Sequence, residues 1–232
     1  MRAFAALLWL LGAASVRAEG LQVAPTGIAM TPAHPISSFT LRNDRDRDAS
    51  FEATAYAWTQ QDGRDVLTPT REIALTPSVF LIPARSAQIV RLGLVAHPSG
   101  AEQAYRIVVR ELPPADPAPL PRNGFRILIE MSLPAFVTPP NAHGVLSARR
   151  VDGDDGAPEL MLSNTGDAHL SLSAGPGGGV DVPHYLLAGA SAERPIAPNL
   201  DRVELYAASA GDAEPHQQSF ELGHATAVAG LR

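Results

Sequence analysis

The stretch Phe125-Arg126-Ile127-Leu128-Ile129-Glu130-Met131-Ser132-Leu133-Pro134-Ala135-Phe136-Val137-Thr138-Pro139 decides how this chain is read. Phe125, Ile127, Ile129, Met131 and Leu133 fall on alternate positions. A strand sends alternate side chains to one face, so these residues make an apolar ridge. The other face carries Arg126, Leu128, Glu130 and Ser132. The period is that of a strand, not a helix. The segment Pro113 to Pro121 upstream is too proline-rich for a central strand, and Pro139-Pro140 stop the pattern downstream. One long strand is therefore expected from Asn123 to Pro139, between a loop and a hinge. Two readings of its ridge stay open: the core-facing side of an ordinary sandwich, or a surface presented to another protein.

Working back toward the N-terminus, further strand patterns follow at short spacing. Tyr105 to Leu112 and Gln88 to Leu94 are apolar runs with strand character, and Pro83-Ala84-Arg85-Ser86 is a turn before the second. Ile73 to Ile82 is interrupted by Pro77, and Asp62-Gly63 is a hairpin signal. Phe51 to Trp58 and Ile36 to Leu41 alternate, and Leu21 to Pro25 is a proline-limited edge strand. Short strands separated by turns predict an immunoglobulin-like sandwich of seven strands, without the cysteine pair of antibody domains. Beyond Pro140 the pattern restarts. Val145 to Ala148, Glu159 to Ser163, His169 to Leu172, Val203 to Tyr206 and Ser219 to Leu222 are strand-like, with a turn at Asn164-Thr165-Gly166-Asp167. The fold class expected is all-β, two immunoglobulin-like β-sandwich domains at an angle.

Composition agrees. Of 232 residues, 45% are apolar and 18% charged, which suits a globular chain, and 21 prolines with 19 glycines favour turns. A net charge of -6 argues against a nucleic-acid surface. Arg2, the short apolar run Ala3 to Ala14 and Val16-Arg17-Ala18 read as a secretory signal peptide over residues 1–18, cut after Ala18. The chain has no cysteine, so thiolate metal sites and cysteine nucleophiles are excluded. Export without disulfides suits a bacterial periplasm better than a disulfide-stapled extracellular scaffold. The domains expected are 19–139 and 140–232.

Seven histidines are scattered without an HExxH or comparable pattern, and no Gly-x-Ser-x-Gly elbow occurs. Gly175-Pro176-Gly177-Gly178-Gly179 lacks the lysine and the helix of a phosphate loop. No enzyme activity and no cofactor are expected.

An ordered set of features carries a family resemblance. Asn43-Asp44 ends the second strand, Pro83 precedes a Gln88-x-x-Arg91-Leu92 strand, Arg110-Glu111-Leu112-Pro113-Pro114 closes the sixth, and Phe136-Val137-Thr138-Pro139 closes the seventh. Together, behind a signal peptide, they resemble the PapD-like periplasmic chaperones of chaperone–usher pilus assembly. Asn164-x-Gly166, His169 and Leu187-x-Gly189 extend the likeness, more weakly, into the second half.

The resemblance implies a chaperone that lends a strand to pilin subunits and passes them to an outer-membrane usher, without ATP. Such donor-strand recognition adds a strand to an exposed sheet edge: main-chain bonds supply affinity, and pockets for alternate side chains supply specificity. The family's groove-filling positions fall on Phe125, Ile127 and Ile129, with Met131 next on the same face. Its carboxylate anchor, an arginine and a lysine, falls on Gly27 and Pro134, neither of which can pair with a carboxylate. That departure resembles the archaic, Csu-type branch, and Arg91 is the candidate replacement anchor. The sequence leaves open a self-capping homodimer of the free chaperone. The alternative function is a secreted Ig-like binding or structural module without chaperone activity.

Overall fold

The computed structural model describes residues 20–95, 100–114, 124–176 and 180–223. The expected signal peptide, the middle of the proline-rich loop and the last residues lie outside these. Every regular element in the described residues is a strand. In the N-terminal half they are β1 (Leu21–Ala24), β2 (Ile28–Met30), β3 (Ile36–Asn43), β4 (Ala49–Gln61), β5 (Arg64–Pro69), β6 (Ile73–Thr76), β7 (Val79–Ile82), β8 (Ser86–Leu94), β9 (Gln103–Leu112) and β10 (Glu130–Val137). One sheet has the order β1-β3-β8-β6, and the other β2-β10-β9-β4-β5, with β7 also on β4. The inner faces meet in a core that includes Phe39, Phe51, Leu92, Tyr105, Ile107 and Val137. Alternation explains why: β4 buries Phe51, Ala53 and Ala55 while the residues between them are only half-buried.

The C-terminal half holds β11 (Leu146–Asp152), β12 (Pro158–Asn164), β13 (Leu170–Ala174), β14 (Tyr185–Leu186), β15 (Ser191–Pro195), β16 (Arg202–Ser209) and β17 (His216–Glu221). Sheets β11-β12-β15 and β14-β13-β16-β17 enclose a second core, with Leu160, Leu162, Leu172 and Leu205 at its centre. The fold is two immunoglobulin-like sandwiches.

Asn43 and Asn164 make matching corners in the two halves. Asn43 Nδ2 donates to the carbonyls of Arg47, Ile82 and Pro83, and its Oδ1 accepts from the Arg45 N–H. Asn164 Nδ2 donates to the carbonyls of Ala168, Leu186 and Leu187, and its Oδ1 accepts from the Gly166 N–H. The spacing is the same: four residues on for the donor, two for the acceptor. Each asparagine is buried at a strand end and satisfies carbonyls that would otherwise be orphaned.

Three expectations change. The long strand is regular only from Glu130; residues 124–129 run on without a ladder. One main-chain bond continues past Glu130, from the Glu111 N–H to the Ile129 carbonyl, but the Ile129 N–H turns to the Glu111 carboxylate. Its partner β9 ends at Leu112, before Pro113-Pro114, so the pairing has little to continue on. Among the described residues the N-terminal half has ten strands rather than seven: β2 is only three residues long, β5 is mostly exposed and so lacks an apolar pattern, and the Ile73–Ile82 run divides at Pro77 into β6 and β7, which join different sheets. In the second half β15, also largely exposed, carries no apolar pattern by which sequence could find it.

Candidate functional site

The segment leading into β10 separates its apolar ridge into two parts. Phe125 is 79% exposed and Ile127 66%, whereas Leu133 is buried in the sandwich's own core. Ile129 is half-buried, and Met131 packs, partly buried, against that core. The ridge is therefore not uniform: its distal residues point to solvent, Leu133 completes the core, and Met131 sits at the changeover.

The edge of β10 is open over the same region. One side pairs with β9 from Glu130 to Val137. The other side pairs in parallel with β2 only from Ala135 to Val137. Before Ala135 no strand among the described residues covers that side. Exposed apolar side chains beside unpaired main-chain groups form a template for strand addition.

Gly27 and Pro134 come together. Ile28 is in register with Ala135, and a Cβ built on Gly27 would meet Pro134 Cγ at 3.9 Å. Both line a cavity of about 860 Å³ between the two sandwiches. Among the described residues the lining includes His34, His169 and Asp212 but no arginine or lysine. The positions assigned to the anchor are thus neighbours in space, without charge. Arg91 is exposed on β8, in register with Ser38 and Thr76, and is not part of this lining. Its side chain follows the outward positions of β8, because Val90 and Leu92 on either side of it are the buried ones.

The joint beside the cavity combines residues of the motifs that carry the resemblance, Phe136, Thr138, His169 and Leu187, with Gln60, Glu102 and Arg106, which the sequence does not single out. Trp58, Phe136 and Leu187 form a small core between the sandwiches. The Phe136 ring stacks on His169, with centroids 3.6 Å apart. Glu102 Oε2 accepts from the His169 N–H at 2.7 Å and lies 2.7 Å from His169 Nδ1, while Glu102 Oε1 accepts from Thr138 Oγ1. Gln60 donates to the Tyr185 carbonyl and accepts from the Leu187 N–H. Arg106 stands opposite Pro134 in register, with its guanidinium 3.7 Å from the Trp58 ring centroid. Burial lowers its pKa against the pull of Asp65, 3.7 Å away. These residues are far apart in sequence, and no local pattern links them. Among the described residues no group of three histidines or carboxylates could hold a metal.

Residues 20–143 match the family described as pili and flagellar-assembly chaperone, PapD N-terminal domain. The chain belongs to that family. Among solved structures it is similar to the complex of CsuC with the tip adhesion subunit CsuE, from archaic chaperone–usher Csu pili of Acinetobacter baumannii. The TM-score is 0.69 at 20% identity, covering 86% of this chain and 97% of that one. The E. coli chaperone DraB gives 0.68 at 20% identity, covering 89% and 98%. The Salmonella enterica SafA pilin in complex with the SafB chaperone gives 0.68 at 13% identity, covering 90% and 99%. No curated protein matches the chain.

Proposed function

We propose that this chaperone holds pilin subunits in the periplasm by donor-strand complementation and delivers them to an outer-membrane usher. The observation that carries the reading is the pairing of exposed Phe125 and Ile127 with the open edge of β10. A pilin that lacks its own last strand has an apolar groove and unpaired edges, and the Phe125–Met131 segment supplies side chains for one and main-chain groups for the other. Phe125, Ile127 and Ile129 fill the groove. Met131, already half-engaged with the chaperone's core, contributes at the rim. The uncharged Gly27–Pro134 edge supports placing the protein in the archaic, Csu-type branch. Residues 1–18 act as the export signal, and the domains divide at 139/140.

Coexpression with a candidate pilin tests this. Wild type should recover the subunit from periplasmic extracts. Ile127→Asp should abolish recovery, since it would bury an uncompensated carboxylate, while melting within a few degrees of wild type on its own, because Ile127 is exposed. Normal capture by the variant would reject the reading and leave the Ig-like module without chaperone activity. The intact mass of the exported protein checks the start at Glu19.

A further inference from the structure

The residues that fix where the exposed segment leaves the sandwich form a buried polar chain. Glu111, 4% exposed, lies at the end of β9. Its Oε1 accepts from Arg45 Nη1 at 2.6 Å, and its Oε2 accepts from the Ile129 N–H at 3.2 Å. Its own N–H donates to the Ile129 carbonyl at 2.8 Å. In an antiparallel ladder two opposed residues can exchange both main-chain bonds. Here one of the two is made by the main chain, and the Ile129 N–H goes to the Glu111 side chain instead. Arg45 is also held at its backbone, because its N–H donates to Asn43 Oδ1 at the buried corner. The chain Asn43, Arg45, Glu111, Ile129 thus ties the last anchored residue of the segment to the ends of β3 and β9.

The core alone leaves slack there. Leu133, Ala135 and Val137 are buried and fix the inner end of β10. Between Leu133 and Ile129 the strand is exposed or half-buried, with an open edge and the exposed Arg110–Glu130 pair. Bulges collect at sheet edges, and one extra residue in β10 would change the phase of everything beyond it. Phe125, Ile127 and Ile129 would exchange faces with Arg126, Leu128 and Glu130. A bulge would also move Ile129 away from Glu111 and leave the carboxylate facing Arg45 with an unused acceptor.

We propose that the buried Arg45–Glu111 pair is a register clamp: a positioning pair that phases the donor segment so that its apolar residues face the client. The clamp gains its purpose from the donor-strand reading, but it is measurable on the free protein. The chain has no cysteine, so engineered pairs report without background. Continuing the β9–β10 register by two pairs sets Leu128 opposite Leu112. A one-residue bulge would put Ile127 there instead. In the mature chain, Leu112→Cys/Leu128→Cys and Leu112→Cys/Ile127→Cys are oxidised and the disulfide yields compared. With Glu111 intact, the first pair should exceed the second by roughly tenfold or more.

In Glu111→Ala, and in Arg45→Met/Glu111→Leu, which removes both charges and keeps bulk, the ratio should fall to within about threefold. A ratio that stays near tenfold in either folded variant overturns the clamp. Failure of both to fold overturns it too, since the pair would then serve the sandwich itself. Failure of the wild type to capture a pilin would instead overturn the donor-strand reading and leave the disulfide result standing.

Discussion

Tyr105 is 1% exposed, and its hydroxyl donates to Glu72 Oε2 at 2.9 Å. Burial, then the bond to Glu72 and its charge, raise the phenol above its ordinary value of 10.0. The raised group binds its proton more tightly folded than unfolded. Its contribution to stability is therefore complete below about pH 10 and is lost as pH rises through the folded pKa. Tyr105→Phe should flatten the alkaline fall in melting temperature while costing the bond to Glu72, about 1 kcal/mol at neutral pH. An alkaline limb unchanged in the variant would reject this account. The same scale marks what sequence cannot supply. Tyr105 reads as one apolar position on a strand; its partner Glu72 is 33 residues away, and only folding joins them. Asn43, Glu111 and Asn164 do stand out as parts of recurring motifs, and the structure adds why: each is a buried polar group whose partners are strand ends.

Along a single strand, the same alternation serves two environments. β10 and the segment before it repeat apolar residues at every second position from Phe125 to Leu133, yet exposure falls from 79% at Phe125 to 4% at Leu133. Periodicity specifies which face a side chain takes, not what covers that face. This is why both readings of the ridge stay open in the sequence, and why each describes part of it. The legible strands β3, β4 and β8 have one buried face and carry its pattern, and β9 reads as an apolar run because Val108 is buried along with Ile107 and Val109. By contrast, β2 is too short to show a period, and β5 and β15 are too exposed. The gradient makes a prediction about the element. Leu133→Ala should cost the free chaperone about 2–5 kcal/mol, the range for a buried leucine. Phe125→Ala should change its stability by no more than about 0.5 kcal/mol and act on client capture alone. Chemical denaturation of the two variants without client checks the contrast. Equal losses would place Phe125 in the chaperone's own core.

At the scale of the whole molecule, the relation between the two sandwiches depends on a small joint. Domains joined by a modest interface are expected to move unless specific contacts hold them. Here the contacts are few and directional: Gln60 bonds two main-chain groups of the second sandwich, and Glu102, whose side chain is 2% exposed, engages both the backbone N–H and the ring of His169. Phe136 belongs to β10 and also to the joint, so the strand that carries the exposed segment at one end stacks on His169 at the other. Each neutral hydrogen bond contributes about 0.5–1.5 kcal/mol, and those to a carboxylate more. Removing Gln60 and Glu102 therefore takes away several kcal/mol of coupling while leaving both sandwich cores untouched. The double variant Gln60→Ala/Glu102→Ala should unfold in two separated calorimetric transitions where wild type unfolds in one. Its scattering profile should show a larger radius of gyration at native temperature. Because the cavity beside Gly27 and Pro134 is bounded by both sandwiches, the variant should also release a captured pilin faster, even though no residue of the exposed segment has changed. A single unaltered transition with an unaltered radius would mean that the apolar contacts of Trp58, Phe136 and Leu187 hold the joint on their own.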